Sequence, residues 1–164
     1  MSDMCFMPDT FYHGTRKSDF FIHNVKVGKG WFRSASASAK VAGLENVTTP
    51  YALFHRDGDK EAVWERVREQ NFPDRPPRLK AIFMFASLAD AESSEWFKGE
   101  DRALIAVKVP VSENIHVADA SWLDSPRSEW ETCARRYWEG ALTEHPKLEV
   151  LLDGSAYAEE WEAL

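Results

Sequence analysis

The sequence predicts an α+β fold in one domain spanning residues 1–164. Three observations predict it. Runs rich in β-branched and aromatic residues lie near both ends of the chain, FYHGTR at one and KLEVLLDG at the other. Segments with apolar residues at helical spacing lie between them. The two kinds of segment do not alternate in the strict order of a parallel βαβ array, so mixed sheets with flanking helices are expected. A chain of 164 residues can bury a sizeable core, and one domain is the economical arrangement.

The elements follow in order. FYHGTR, Phe11 to Arg16, is extended, with His13 facing opposite to Tyr12 and Gly14. DFFIHNVKV, Asp19 to Val27, is rich in β-formers and predicts a strand that stops at the GKG turn, Gly28 to Gly30. The small residues of SASASAK, Ser34 to Lys40, predict a loop or tight turn. Asp57 to Phe72 reads as a helix, with acids in its first turn and Val63, Trp64 and Val67 on one stripe. It ends where the prolines of FPDRPPR exclude helix.

LKAIFMFAS is short and apolar enough to be a buried strand, and Ser87 to Asp90 forms a capping-box pattern for a helix running through Trp96. Ala103 to Val111 and the segment around Val117 read as further strands. In SPRSEWETCARRYWEGAL, Ser125 and Pro126 mark a helix start. Trp130, Cys133, Ala134, Tyr137, Trp138 and Ala141 then fall on one helical face. Lys147 to Gly154 is a closing strand, with Leu148, Val150 and Leu152 on one face and Glu149 with Leu151 on the other.

Composition narrows the function. Hydrophobic residues make up 44% and charged residues 29%, a globular balance. A net charge of -7 has the wrong sign for holding a phosphate backbone and favours a protein acceptor or partner over nucleic acid. Cys5 and Cys133 have no CxxC or Cys/His company, so neither a metal site nor a disulfide framework is expected. With no leader pattern and no apolar run of membrane-spanning length, the expectation is a cytoplasmic protein with no membrane partner. Phosphate-cradling GxGxxG and GxxxxGK[ST] loops, HExxH and GxSxG are all missing.

What remains is a small set of polar residues in costly places. His13 borders a glycine whose backbone a ligand can approach closely, or it is a hydrogen-bonded core histidine. Glu149 on its strand either lines a cleft or sits on an exposed sheet face, because an ionised carboxylate there must be solvated or paired. Phe83 to Ser87 ends an aromatic strand in a hydroxyl, which is also what a core strand followed by a helix cap looks like. Arg75 and Arg78 in the proline loop either meet a phosphate or are solvated.

Taken together these residues resemble the ADP-ribosyltransferase superfamily. FYHGT resembles the opening motif of the rifampin-inactivating ADP-ribosyltransferases and of the NAD-dependent RNA 2'-phosphotransferases, an aromatic-His-Gly-Thr strand that borders the NAD pocket. IFMFAS resembles the second motif of the former, with Phe83 or Phe85 where a tyrosine is common. LEVLLDG is similar to the strand that carries the last catalytic glutamate of bacterial ADP-ribosylating toxins, and FPDRPPRLKAIFMF resembles an uncharacterised bacterial group of the same superfamily.

The resemblance implies mixed β-sheets with flanking helices around an NAD cleft, and NAD as co-substrate. It implies a catalytic Glu149 that orients a ribose hydroxyl and stabilises the developing positive charge, and a His13 that hydrogen-bonds the adenine-side ribose. Tyr12, Gly14, Thr15, Arg16, Phe83, Phe85, Ser87 and Arg78 are the implied cofactor-binding residues. Gly14 holds the carboxamide, Thr15 supports the strand, the phenylalanines stack on nicotinamide, Ser87 meets the ribose or carboxamide, and Arg16 and Arg78 neutralise pyrophosphate. The implied activity is mono-ADP-ribosyl transfer to a macromolecular or small-molecule acceptor, with a role in bacterial or phage conflict. An RNA 2'-phosphotransferase and a non-catalytic binding module on the same fold are the alternatives.

Overall fold

The computed structural model describes residues 5–17, 20–38 and 58–164. They form a mixed helix-and-sheet, α+β architecture. The strands are β1 (Phe11–Arg16), β2 (Trp31–Arg33), β3 (Ile82–Met84), β4 (Arg102–Val107), β5 (Asn114–Asp119), β6 (Leu148–Asp153) and β7 (Ser155–Tyr157). The α-helices are α1 (Phe20–Val27), α2 (Ala35–Ser38), α3 (Gly58–Asn71), α4 (Leu88–Ser93) and α5 (Trp130–Glu139), with short 3-10 turns between several of them.

All strand pairings are antiparallel: β1 with β4, β2 with β7, and β6 in the centre of β3-β6-β5. Single bridges join these pieces, Tyr12 to Phe85 just past β3 and Lys108 to Tyr157. Neighbouring strands therefore run β2-β7-β4-β1-β3-β6-β5. Segments far apart in sequence lie side by side, and β1, β3 and β6 are consecutive neighbours.

Two apolar clusters cover the two faces of this path. On one face Phe11, Val25, Met84, Ile105, Val107, Val150 and Leu152 pack together, with Phe21 and Ile22 of α1 and Phe32 against them. On the other, Trp64 and Val67 of α3 meet Cys133, Ala134, Tyr137 and Trp138 of α5 over Leu151 and Ala118. The period-2 alternation of β6 produces this split, with Val150 and Leu152 on the first face and Leu151 on the second. Trp64, Tyr137 and Trp138 are fully buried, and area alone credits each with roughly 2–3 kcal/mol. Trp138 Nε1 also donates to the Trp64 carbonyl at 2.9 Å and ties α5 to α3.

The expected strand over Asp19 to Val27 is instead α1, with Asp19 outside the described residues. Its apolar residues meet the core at helical spacing: Val25 is fully buried while Phe21 and Ile22 pack against the same cluster. The GKG segment ends this helix rather than a strand. Gly30 donates to the Val25 carbonyl at 2.9 Å with φ of 96°, the left-handed geometry that closes helices. In SASASAK, Ala35–Ser38 form the one-turn α2, and Lys40 lies outside the described residues. The helix predicted over Asp57 to Phe72 is α3, with Asp57 outside the described residues. After Ser87 the helix is shorter than expected: α4 ends at Ser93, and Trp96–Lys98 is a separate 3-10 turn.

Candidate functional site

Antiparallel partners point their side chains to the same face, so the register assigns each candidate to a side. Tyr12 bridges Phe85. One step beyond the Met84–Val150 pair, the register brings Phe85 level with Glu149, which pairs with Ala118 on its other side. Tyr12, Phe85 and Glu149 thus form a row across three strands on the α3/α5 face, about 10 Å long at two strand spacings. All three are partly buried, between core and solvent.

The neighbouring row is covered. A Cβ on Gly14 would lie 2.5 Å from the Trp96 ring, so that indole sits directly over the glycine. Arg102 lies 4.8 Å above the same indole and donates from Nε to the Trp96 carbonyl at 3.1 Å. The Arg78 guanidinium is 5.2 Å from the Phe83 ring centroid and as far from that of Tyr137.

Behind Glu149 stands a buried polar network. Arg78, 3% exposed, donates from Nε to both carboxylate oxygens of Glu61 at 3.1 Å. From Nη1 it donates to Tyr137 Oη at 2.6 Å and to Glu149 Oε1. Tyr137 Oη in turn donates to Glu149 Oε1 at 2.6 Å. Two charge-assisted bonds therefore converge on one oxygen of Glu149. The other oxygen, Oε2, has no hydrogen bond to a described residue, and the side chain retains 18% exposure. Burial pushes the Tyr137 phenol well above its ordinary pKa; Arg78 pulls it down, and Glu149 pushes it up again. It stays protonated and acts as a donor.

His13 lies on the opposite face. Its ring packs 4.6 Å from Phe21 and 6.2 Å from Phe32, and Nδ1 donates to the Phe83 carbonyl at 2.8 Å. A carbonyl only accepts, so Nδ1 carries a proton. The expectation that His13 and Glu149 enter one cleft is not met: their strands flank β3 and their side chains leave the path on opposite sides. Thr15 shares the His13 face, 5% exposed, with a long bond to the Arg16 carbonyl at 3.4 Å. Arg16 is exposed at the end of β1. Ser87 Oγ accepts from the Asp90 amide at 3.1 Å and caps α4, which is the capping half of the two uses its pattern allowed. Arg78, expected at a pyrophosphate, is buried between the carboxylates of Glu61 and Glu149.

Glu61 and Tyr137 escaped the sequence reasoning, although both left signals. Tyr137 falls on the buried face of α5, where a phenol needs a hydrogen-bond partner. Glu61 precedes Trp64 by three on the buried stripe of α3, where a carboxylate needs a cation.

Residues 36–160 match the family described as "Protein of unknown function (DUF2441)". The chain belongs to that family. No curated protein matches the DUF2441 chain. The matched span carries Glu61, Arg78, Phe83, Phe85, Tyr137 and Glu149, while β1 with Tyr12 and His13 precedes it. Among the described residues of the DUF2441 chain no three His, Cys, Asp or Glu side chains gather as metal ligands. None of its described helices is long and apolar enough to cross a membrane.

Proposed function

We propose that this chain is an NAD-dependent mono-ADP-ribosyltransferase on an ADP-ribosyltransferase-like fold, transferring ADP-ribose to a protein acceptor. One observation carries the proposal. The three segments that resemble the superfamily's motifs, separated by long stretches of sequence, are consecutive strands, and they set Tyr12, Phe85 and Glu149 in one partly open row. Aromatic rings beside a carboxylate suit a nicotinamide ring joined to a ribose.

In transfer, the bond between ribose C1' and the nicotinamide nitrogen breaks, and its electron pair leaves with neutral nicotinamide. No strong general acid is needed. The acceptor's nucleophile forms the new bond to C1' and gives up its proton to water. Positive charge develops on the ribose ring, as in glycoside cleavage. Glu149 faces it with Oε2 available to accept from a ribose hydroxyl, and the charge of its carboxylate favours the cationic state. Tyr12 and Phe85 form the floor on which the ring stacks. His13, on the other face, holds β1 to β3 and keeps the row level.

Incubation with adenylate-labelled NAD and cell lysate, with nicotinamide followed in parallel, tests this. Label on protein and nicotinamide release are expected, both lost in Glu149→Ala. Neither signal from the folded wild-type protein rejects the enzyme.

One observation favours a second reading. Glu149 Oε1 is tied to Arg78 and Tyr137 as a purely structural ion pair would be, which suits a module that binds a dinucleotide without cleaving it. Calorimetry showing NAD binding with no nicotinamide release identifies that case.

A further inference from the structure

We propose that Tyr137 and Arg78 are positioning residues which fix the Glu149 carboxylate by its Oε1 and thereby aim Oε2 at the Tyr12–Phe85 floor; this rests on the transferase reading above. A glutamate on a strand has three side-chain torsions, and one exposed to solvent samples several rotamers. Here Oε1 receives the phenol O–H at 2.6 Å and the Nη1 of Arg78, while Nη1 also donates to the phenol oxygen at 2.6 Å. The three groups close a triangle. Two donors on one oxygen fix the plane of the carboxylate and leave the second oxygen as its acceptor for a ligand.

The frame is itself braced. Arg78 stacks between the Phe83 and Tyr137 rings at 5.2 Å from each, and Glu61 holds its Nε from α3. Tyr137 is buried in α5 beside Trp138, 4.9 Å between ring centroids, and beside Trp64 at 6.3 Å. Two elements thus converge on one oxygen, α5 through Tyr137 and the loop before β3 through Arg78, and α3 braces the second of them through Glu61. None of these groups has to touch the dinucleotide. They act through Glu149.

Tyr137→Phe keeps the ring and removes the donor. A carboxylate freed to rotate weakens transition-state stabilisation more than ground-state stacking, so kcat for nicotinamide release should fall about tenfold while KM for NAD stays within about twofold. Arg78→Lys keeps a cation but cannot bridge Glu61, Tyr137 and Glu149 together, and should give the same split. A merely structural role lowers the melting temperature and the active fraction of both variants without producing that split in the folded protein. Unchanged kcat in folded Tyr137→Phe overturns the proposal, as does a KM increase that accounts for the whole loss.

Crystal structures of the wild type and Tyr137→Phe give a readout that does not depend on turnover. A Glu149 carboxylate with more than one orientation in the variant supports the clamp, and an unmoved one rejects it. Absence of nicotinamide release from the wild type rejects the transferase reading alone, because the carboxylate's orientation still decides the clamp.

Discussion

At Arg78 one guanidinium with 3% exposure faces two carboxylates, so removing different members of the network has unequal consequences. Arg78→Ala removes the cation that Glu61 and Glu149 share, and breaking a buried pair from one side costs about 3–5 kcal/mol. Glu61→Ala leaves Arg78 still paired with Glu149 and costs less, about 1–3 kcal/mol. Urea unfolding of both variants should return that order; equal losses mean the network is not organised around the guanidinium. Gly14 makes a steric prediction of the same scale. A methyl group there would lie 2.5 Å from the Trp96 ring, which Arg102 pins from above. Gly14→Ala should lower stability by about 1–3 kcal/mol through overpacking, and Trp96→Leu should recover part of the loss in the double variant.

At the scale of elements, β5 carries two acid-sensitive groups on opposite faces. Asp119 is fully buried. Burial raises its pKa, but bonds from the Thr143 hydroxyl and from the amides of Thr143, Lys147 and Ser121 outweigh it and bring the value to about 2. The bonds from Thr143 and Lys147 tie the end of β5 to the connection between α5 and β6. A lowered carboxylate pKa contributes stability that is present above the unfolded value near 3.8 and is lost as pH falls through the folded one. The contribution is about 2 kcal/mol at neutral pH. His116 is held below its ordinary value, first by burial, with Arg75 adding to the effect and the Tyr137 carbonyl and Glu149 opposing it. The unfolded chain then binds that proton more readily, so stability also declines as pH falls below the unfolded value of 6.5. Denaturant titrations should show one loss beginning below about pH 6.5, reduced in His116→Gln, and a second below about pH 4, reduced in Asp119→Asn. How far the sequence revealed such elements depended on periodicity. In α5 the buried face was legible because five of its six apolar marks repeat within ten residues. In α1 the aromatic and β-branched content of FFIHNVKV suggested a strand, while the burial of Val25 with Phe21 and Ile22 obeys the helical period. The facing of β6 was readable from alternation, but the partner of Glu149 was not. It comes from Tyr137 of α5 and Arg78 of the loop before β3, which only tertiary packing brings together.

Across the whole molecule, the path β2-β7-β4-β1-β3-β6-β5 is strong in places and thin in others. Between β3 and β6 three residue pairs face each other, and between β1 and β4 six. Between β1 and β3 the pairing is one bridge, with Tyr12 donating to the Phe85 carbonyl at 3.0 Å and Phe85 to that of Tyr12 at 2.7 Å. The His13 side chain adds a cross-link on the same seam, from Nδ1 to the Phe83 carbonyl at 2.8 Å, two residues before the bridge. This seam joins the half of the path that holds Tyr12 to the half that holds Phe85 and Glu149, so the proposed site straddles it. Local opening should therefore begin here rather than in β5 or β6. His13→Ala removes the cross-link and leaves the Phe83 carbonyl without that donor, a loss of about 1–2 kcal/mol concentrated at the seam. Hydrogen exchange should show the Tyr12 and Phe85 amides losing protection by about tenfold or more, with β5 and β6 amides little changed. Equal loss of protection across all strands would mean that His13 supports global stability rather than the seam. Unchanged protection would mean that the bridge alone holds the two halves level. In the expected case NAD affinity falls with the opening of the seam although His13 lies on the far face, because Tyr12 is no longer held in line with Phe85 and Glu149.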